Sequence, residues 1–419
     1  MSCNLIRFKW RPTRKRRLFK VRTVDLKIED VAFGGKGVGR HNGKAVFVPF
    51  TIDGELVAAR IVREKKQFAE AELADVREPS PNRVEPECPY FARCGGCAYQ
   101  HIAYEHQLNI KWRQVRDVLQ RIGRLNDIPM RPIIPSPVSY AYRNRITVHA
   151  QDGVVGYFRR DSHDLIDIER CPIAVEEVNR ELTRLRDGQV RDGHYTLRAQ
   201  SGPRVFSQTN DAVAMALRDL VTQLVPPDRD QALLIDAYCG AGFFAKALLG
   251  RFQRVIGMDW DKFAISLAQE NATPKETYIA GDVDEELSKV LRSVDCSAAS
   301  ESGIGPAAVG PISSKTSAGD RCHFVTLIAD PPATGLSADV RKSITELKPA
   351  TLIYVSCNPS TLARDLADLR SQFIIESVTP LDMFPQTAEI EVVAHLRATA
   401  IASYWKEPAS ESTMEIHTE

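Results

Sequence analysis

What the chain lacks narrows its class before any motif is read. No uninterrupted apolar stretch approaches the roughly 18 residues needed to span a bilayer, so membrane insertion is not expected. Met1 is followed by no apolar leader, and the nine cysteines, an odd number, do not resemble a disulfide framework. Together these argue for a reducing compartment and a cytoplasmic location. Excess charge is missing too: a net charge of +1 gives no global push toward nucleic acid, so any such binding must come from local clusters. The full Gly-x-Gly-x-x-Gly turn is absent, because Ala245 stands where its last glycine would be. What remains is ordinary globular material. The 419 residues allow two or three domains of about 100 to 200 residues each, and 43% apolar residues give them ample core.

The local clusters are specific. The run from Arg7 to Arg22 is dense in arginine and lysine and holds no acid. It reads first as a disordered basic arm over residues 1–20, ahead of a transit-peptide-like leader or a start codon placed too early. Cys88, Cys94 and Cys97 form Cys-x5-Cys-x2-Cys, with Gly95-Gly96 between the last two, and Cys171 stands alone later. Paired glycines are turn chemistry rather than core filler, so these thiols are expected to act as ligands. Four soft thiolates suit zinc or a [4Fe–4S] cluster, and spacing alone leaves both open.

From about Val24 to Ala74, short apolar runs alternate with glycines at 34, 35, 37, 39, 43 and 54, the pattern of a small OB-like β-barrel. Residues 79–88 read as a linker. Residues 103–122 show helical spacing, with Leu108, Ile110, Trp112, Val115, Leu119 and Ile122 on one side and bases on the other. The stretch from Tyr140 to Cys171 alternates like hairpins and carries Arg143, Arg145, Arg159 and Arg160, which are candidates for RNA phosphates or for a solvated face.

From Leu233 onward strands and helices alternate, which marks a doubly wound α/β sheet. An apolar strand containing Asp236 runs into the turn Tyr238-Cys-Gly-Ala-Gly242; a second strand ends in Asp259, and a third is followed by Asp282. Helix capping explains any one of these acids, but less easily all three. The set fits S-adenosylmethionine as well as a dinucleotide, and methyl transfer is favoured. Residues 296–320 lack periodicity and read as a flexible loop. A fourth strand then ends in Asp330-Pro-Pro332, and the next, Thr351 to Ser356, delivers Cys357 at the carboxyl edge, where open α/β sheets bind ligands.

These motifs, with Phe206-Ser-Gln208-Thr-Asn210 and Asp382-Met-Phe-Pro-Gln-Thr-Ala-Glu-Ile-Glu391, resemble the RNA uracil-5-methyltransferase family over about residues 20 to 400. The branch resembled carries an N-terminal TRAM barrel and a [4Fe–4S] cluster and is typified by bacterial 23S rRNA enzymes. The resemblance implies an α/β protein: a Rossmann-like class I S-adenosylmethionine-dependent methyltransferase domain (206–405), a TRAM β-barrel (21–78) and a central iron–sulfur α+β domain (79–205), with a tail at 406–419. It implies that Cys88, Cys94, Cys97 and Cys171 hold the cluster, and that Gln208, Tyr238, Phe243, Asp259, Asp282 and Asp330 contact S-adenosylmethionine. It makes Cys357 the nucleophile and Glu391 the base. RNA is the implied substrate, 23S rRNA ahead of tRNA, and a monomer is adequate.

The chemistry of the residues agrees. Carbon 5 of uracil is a poor nucleophile, and addition of a thiolate at carbon 6 turns it into an enolate that can attack an activated methyl. A carboxylate then removes the carbon 5 proton. Two positions depart from the family's habit. Ala333 stands where an arginine usually follows Asp-Pro-Pro, and Glu389 replaces a histidine two residues before the base. If 389 and 391 share one strand face, their like charges raise a carboxylate pKa, or Glu389 shares the work. The rivals are a cytosine-5 enzyme, disfavoured by Ser356-Cys-Asn-Pro359, and an RNA-binding protein without activity.

Overall fold

The computed structural model describes residues 22–160, 162–199, 208–226, 233–294 and 325–399. The basic arm at 1–20, the segment 296–320 and the tail at 406–419 lie outside the described residues. Those described fall into two units, residues 22–32 with 36–83, and residues 33–35 with 84–399.

The first unit is a closed five-stranded barrel of β1 (Arg22–Val31), β2 (Lys36–His41), β3 (Lys44–Pro49), β4 (Leu56–Glu64) and β5 (Phe68–Glu78), ordered β1-β2-β3-β5-β4. Period-two alternation turns Leu26, Ile28, Val46, Val48, Val57, Ala59 and Ile61 into its core. Asn42 and Gly43 both adopt positive φ (51° and 76°), which gives the tight two-residue turn that joins β2 to β3 without splaying them. The barrel expected over residues 21–78 is therefore present.

The second unit contains two sheets. The hairpin pattern of 140–171 becomes an antiparallel sheet ordered β8-β7-β6-β9, from β6 (Arg145–Gln151), β7 (Val154–Phe158), β8 (Leu165–Asp167) and β9 (Gly193–Arg198). Its apolar face packs on α2 (Glu176–Asp187) through Ile146, Val148, Val155, Ile166, Val178 and Leu182.

The larger sheet has seven strands: β10 (Leu233–Ala237), β11 (Arg254–Asp259), β12 (Glu276–Ala280), β13 (Val325–Ala329), β14 (Thr351–Ser356), β15 (Phe373–Leu381) and β16 (Glu391–Ala398). Their order is β12-β11-β10-β13-β14-β16-β15, and only β16 runs against its neighbours. β10, β13 and β14 are buried along their whole length, as strands covered on both faces must be. On one face pack α3 (Asp211–Leu224), α4 (Phe243–Leu248) and α5 (Lys262–Glu270). On the other pack α1 (Tyr104–Arg121), α6 (Val283–Val294), α7 (Ala338–Leu347) and α8 (Pro359–Leu369).

Helix α1 departs from its expected pattern. Ile122 falls just past the helix and is half-exposed, while Gln107, Lys111 and Gln114 are buried. The division into an apolar and a basic face fails at Lys111, which is fully enclosed and meets the carboxylate of Asp382, in the connection after β15.

Candidate functional site

Four strand ends converge on one edge. Asp259 closes β11, Asp330 follows β13 and Cys357 follows β14. Because β16 is antiparallel, its first residue, Glu391, arrives where the parallel strands end. The β14–β16 register pairs Ser356 with Val392, so Cys357 and Glu391 are the next residues outward on the two strands. Cys357 is exposed, whereas Glu391 is 3% exposed and its Oε1 has no hydrogen-bond partner.

The acids have distinct tasks. Asp236 is wholly buried and accepts from the Ala245 N–H at 2.8 Å, which ties the first turn of α4 to the sheet. Asp259 accepts from Gly240 at 2.8 Å and from Asp261 at 2.9 Å, so it fixes the glycine turn. Asp282 accepts from Asp284 at 2.9 Å and from Glu285 at 3.3 Å, a helix cap at the start of α6. Capping thus accounts for part of what these acids do. It leaves Asp330 and Glu391 without such a duty.

Burial pushes the Asp236 carboxyl up to about 8, with the charges of Asp330 and Asp259 adding to it. Burial and Asp259 push Asp330 up to about 7. Glu391 is held well above the ordinary range by burial first, then by Asp330 and Glu389. The Cys357 thiol is pushed up to about 11 by its enclosing walls and then by Glu391 and Asp330. The principal charges acting on these four groups are all carboxylates. Raised in this way, all four groups favour their protonated forms.

Beside these groups opens a cavity of about 470 Å³ lined by Tyr238, Trp260, Asp282, Pro332, Arg341 and Arg364, among others. Tyr238 adopts a left-handed φ of 66° and donates its hydroxyl to Asp284 at 3.2 Å. Trp260, 75% exposed, has no signal in the sequence beyond following Asp259. Of the six residues expected to hold a cofactor, only Tyr238 and Asp282 belong to that lining. Asp259 directly precedes Trp260 of the lining in sequence, and Asp330 stands two residues before Pro332. Phe243 packs edge-on against Phe244, with ring centres 4.9 Å apart. Gln208 stands ahead of α3, its carbonyl oxygen accepting from Asn144 at 3.0 Å.

Glu389 is not on the strand face of Glu391. It lies in the loop before β16, its side chain 65% exposed, with Arg143 at 3.5 Å. The expectation of a shared face fails because β16 begins only at Glu391. The inferred charge coupling between the two survives.

Cys88, Cys94, Cys97 and Cys171 line one cavity of about 60 Å³, walled by Tyr90, Phe91, Tyr157, Ile168 and Ile173 and bordered by Arg143. Burial raises all four thiols, Cys97 to about 12. Among the described residues, no three His, Cys, Asp or Glu side chains converge so as to hold a metal ion. The thiols therefore ring a space rather than meet at a point.

Two of the arginines read as candidates for RNA phosphates or for a solvated face turn inward instead. Arg160 donates to the Cys97 carbonyl at 2.7 Å, and Arg143 stacks on Phe384 and meets Glu389. Arg145, half-buried, lies on the sheet face opposite Ile146 and Val148, paired across β6 and β9 with Arg198. Next to it on that sheet face lie Thr147, Thr196 and the pair His149–His194, whose Nδ1 atoms are 2.8 Å apart. The Phe158 ring lies 4.2 Å from that of His149. Alternation along two strands could have found this face only once their pairing was known.

Comparison with known proteins gives two family matches: the TRAM domain over residues 17–74, and tRNA (Uracil-5-)-methyltransferase over residues 315–399. The chain is 30% identical to an uncharacterized RNA methyltransferase of Bdellovibrio bacteriovorus, covering 89% of this chain and 95% of that one. It is 29% identical to one of Aquifex aeolicus, over 90% of this chain and 99% of the relative. Among solved structures, it is similar in fold to the Pyrococcus abyssi tRNA (uracil-54, C5)-methyltransferase in complex with S-adenosyl-L-homocysteine. That likeness has a TM-score of 0.61 at 23% identity, over 89% of this chain and 99% of that one.

Proposed function

The chain belongs to the TRAM-bearing RNA uracil-5-methyltransferase family, and from that premise we propose that it methylates carbon 5 of one uridine in RNA, 23S rRNA before tRNA. The observation that carries this reading is the outward register of Cys357 and Glu391, nucleophile and base side by side on the ligand edge. When bound, S-adenosylmethionine supplies an electrophilic methyl on a sulfonium centre. The carboxylates of Asp330 and Glu391 beside Cys357 suit that positive charge, and the cavity lined by Trp260 and Tyr238 suits a nucleoside.

With its proton lost to water, the Cys357 thiolate bonds through sulfur to carbon 6 of the uracil, and the carbon 5–carbon 6 π electrons move onto the carbon 4 oxygen as an enolate. Carbon 5 then takes the methyl. Glu391 accepts the carbon 5 proton, and the electrons of that C–H bond re-form the double bond as the Cys357 thiolate leaves. Burial and Asp330 favour the protonated form of Glu391, so it must be ionised before this step, and once ionised its raised proton affinity makes it the stronger base. The same carboxylates keep the Cys357 thiol neutral until positive charge enters the site.

The central sheet supports an RNA substrate, since Arg145 and Arg198 offer cations for phosphate and Phe158, His149 and His194 offer rings for bases. The four thiols fit a [4Fe–4S] cluster by donor chemistry and by their arrangement about an apolar space; Cys88, Cys94, Cys97 and Cys171 would hold it, and it would supply a structural crosslink.

The test is anaerobically purified protein with labelled S-adenosylmethionine and unmethylated 23S rRNA and tRNA in parallel. The expected product is 5-methyluridine in 23S rRNA, lost in Cys357→Ala. Product in tRNA alone would reassign the substrate, and none in either would leave an RNA-binding protein without activity.

A further inference from the structure

Glu391 is not held by its own hydrogen bonds, since its Oε1 has no partner, so its position rests on its backbone. That backbone is fixed from one side by the β15–β16 pairing, in which Glu391 opposes Leu381. The connection between them, residues 382–390, contains neither helix nor strand. We propose that Lys111 and Asp382, a buried ion pair outside the reacting groups, are positioning residues that anchor this connection and thereby aim Glu391 at the carbon 5 proton. The inference rests on the reading of Glu391 as the base.

The anchor begins one residue beyond Leu381. Both side chains of the pair are fully enclosed, and the Lys111 Nζ donates to Asp382 Oδ1 at 2.6 Å and to the Phe384 carbonyl at 3.0 Å. One helical turn earlier on α1, Gln107 exchanges two hydrogen bonds with Gln386, side chain to side chain at 3.0 Å and Gln386 N–H to Gln107 Oε1 at 3.1 Å. Gln386 has a left-handed φ of 68°, which a non-glycine residue keeps only when its surroundings impose it. Its carbonyl also accepts from the N–H groups of Ala98 and Tyr99 at 3.0 and 2.9 Å. The Tyr142 hydroxyl reaches the Pro385 carbonyl at 2.9 Å.

Stability alone does not explain a fully buried lysine. An apolar pair of similar volume commonly serves as well or better, because two charges have to be stripped of water. What an apolar pair lacks is direction: it cannot hold the Asp382 carboxylate and the Phe384 carbonyl at fixed points. Fixed points matter for a base, since a displacement of about 1 Å costs on the order of a hundred-fold in rate.

The test separates stability from aim. Lys111→Met alone strands the Asp382 charge, so it is paired with Lys111→Met/Asp382→Leu, which removes both charges and keeps the volume apolar. Full-length protein is mixed with RNA bearing tritium at carbon 5 of uracil and with S-adenosylmethionine. Single-turnover rate constants are read for adduct formation, methyl transfer and tritium release; none depends on the fraction of protein that folds. In the double variant, adduct formation and methyl transfer are expected to stay within two-fold of wild type, while tritium release slows about a hundred-fold and the methylated adduct accumulates. Wild-type tritium release in that variant, or an equal fall in all three steps, would overturn the proposal. Absence of tritium release from the wild type would instead refute the underlying reading of the site.

Discussion

The side-chain amide of Asn358 donates to the carbonyl oxygen of Ala333 at 3.0 Å, and the Thr361 hydroxyl donates to the same oxygen at 3.2 Å. The loops after β13 and β14 are thereby fastened together through backbone that any residue supplies. The Ala333 side chain itself is exposed and free to change.

Ala333→Arg should accordingly fold normally and add one cation at the mouth of the site. RNA affinity is expected to rise, and the slope of log affinity against log salt to steepen by about 0.7 to 0.9. Binding measured across a salt series checks this; an unchanged slope would mean that position 333 does not face phosphate.

Glu391→Gln should form the Cys357 adduct and fail to resolve it, so that RNA migrates with the protein on a denaturing gel and 5-methyluridine release drops by about a hundred-fold or more. The same variant removes one of the two carboxylates that hold the thiol up. A thiol raised to about 11 is mostly protonated at neutral pH, so removing that charge must lower the pH at which it ionises. Alkylation of the Cys357 peptide against pH, followed by mass spectrometry, should show the inflection moving down from the wild-type position. An inflection that stays in place would exclude Glu391 as a neighbour of the thiol.

Asp236 links stability to pH. Its folded-state value of about 8 lies above the roughly 3.9 of a free aspartate. Below the lower value both states hold the proton; above it the unfolded chain releases the proton while the folded one keeps it. Stability is therefore lost as pH rises through the folded-state value, by up to about 1.4 kcal/mol per pH unit. Asp236→Asn, which keeps an oxygen for the Ala245 N–H, should gain on wild type steadily between about pH 5 and pH 8. Urea denaturation at several pH values checks it, and parallel curves would refute it.

Trp260 is 75% exposed and lines the cavity. Stacking on a base contributes about 1–3 kcal/mol, so Trp260→Ala should weaken S-adenosylhomocysteine binding about ten-fold or more with little change in thermal stability. Calorimetric titration would show it.

Much of the ligand edge was legible because long buried strands leave few places for polar residues, so Asp259, Asp330 and Cys357 stood out at the ends of apolar runs. The barrel was legible from its period of two and its turn glycines. Lys111 was not, because a lysine on an amphipathic helix carries the same letter whether it faces water or Asp382. Arg143 and Arg160 looked like phosphate ligands for the same reason: their partners, Glu389 and the Cys97 carbonyl, are remote in sequence. The rings of Phe158, His149 and His194 come together only when β6, β7 and β9 pair. Glu389 was misplaced by one element boundary, since strand and loop differ there by two residues.

The place of β16, after β15 in the chain but between β14 and β15 in the sheet, sets an order on how the protein comes into being. Synthesis runs from the N-terminus, and β10 to β14, with the acids and Cys357, leave the ribosome before the strand that brings Glu391. A nascent chain thus owns its sulfur before it owns its base. The sheet is complete, and the register that sets Cys357 against Glu391 exists, only once β16 lies between β14 and β15.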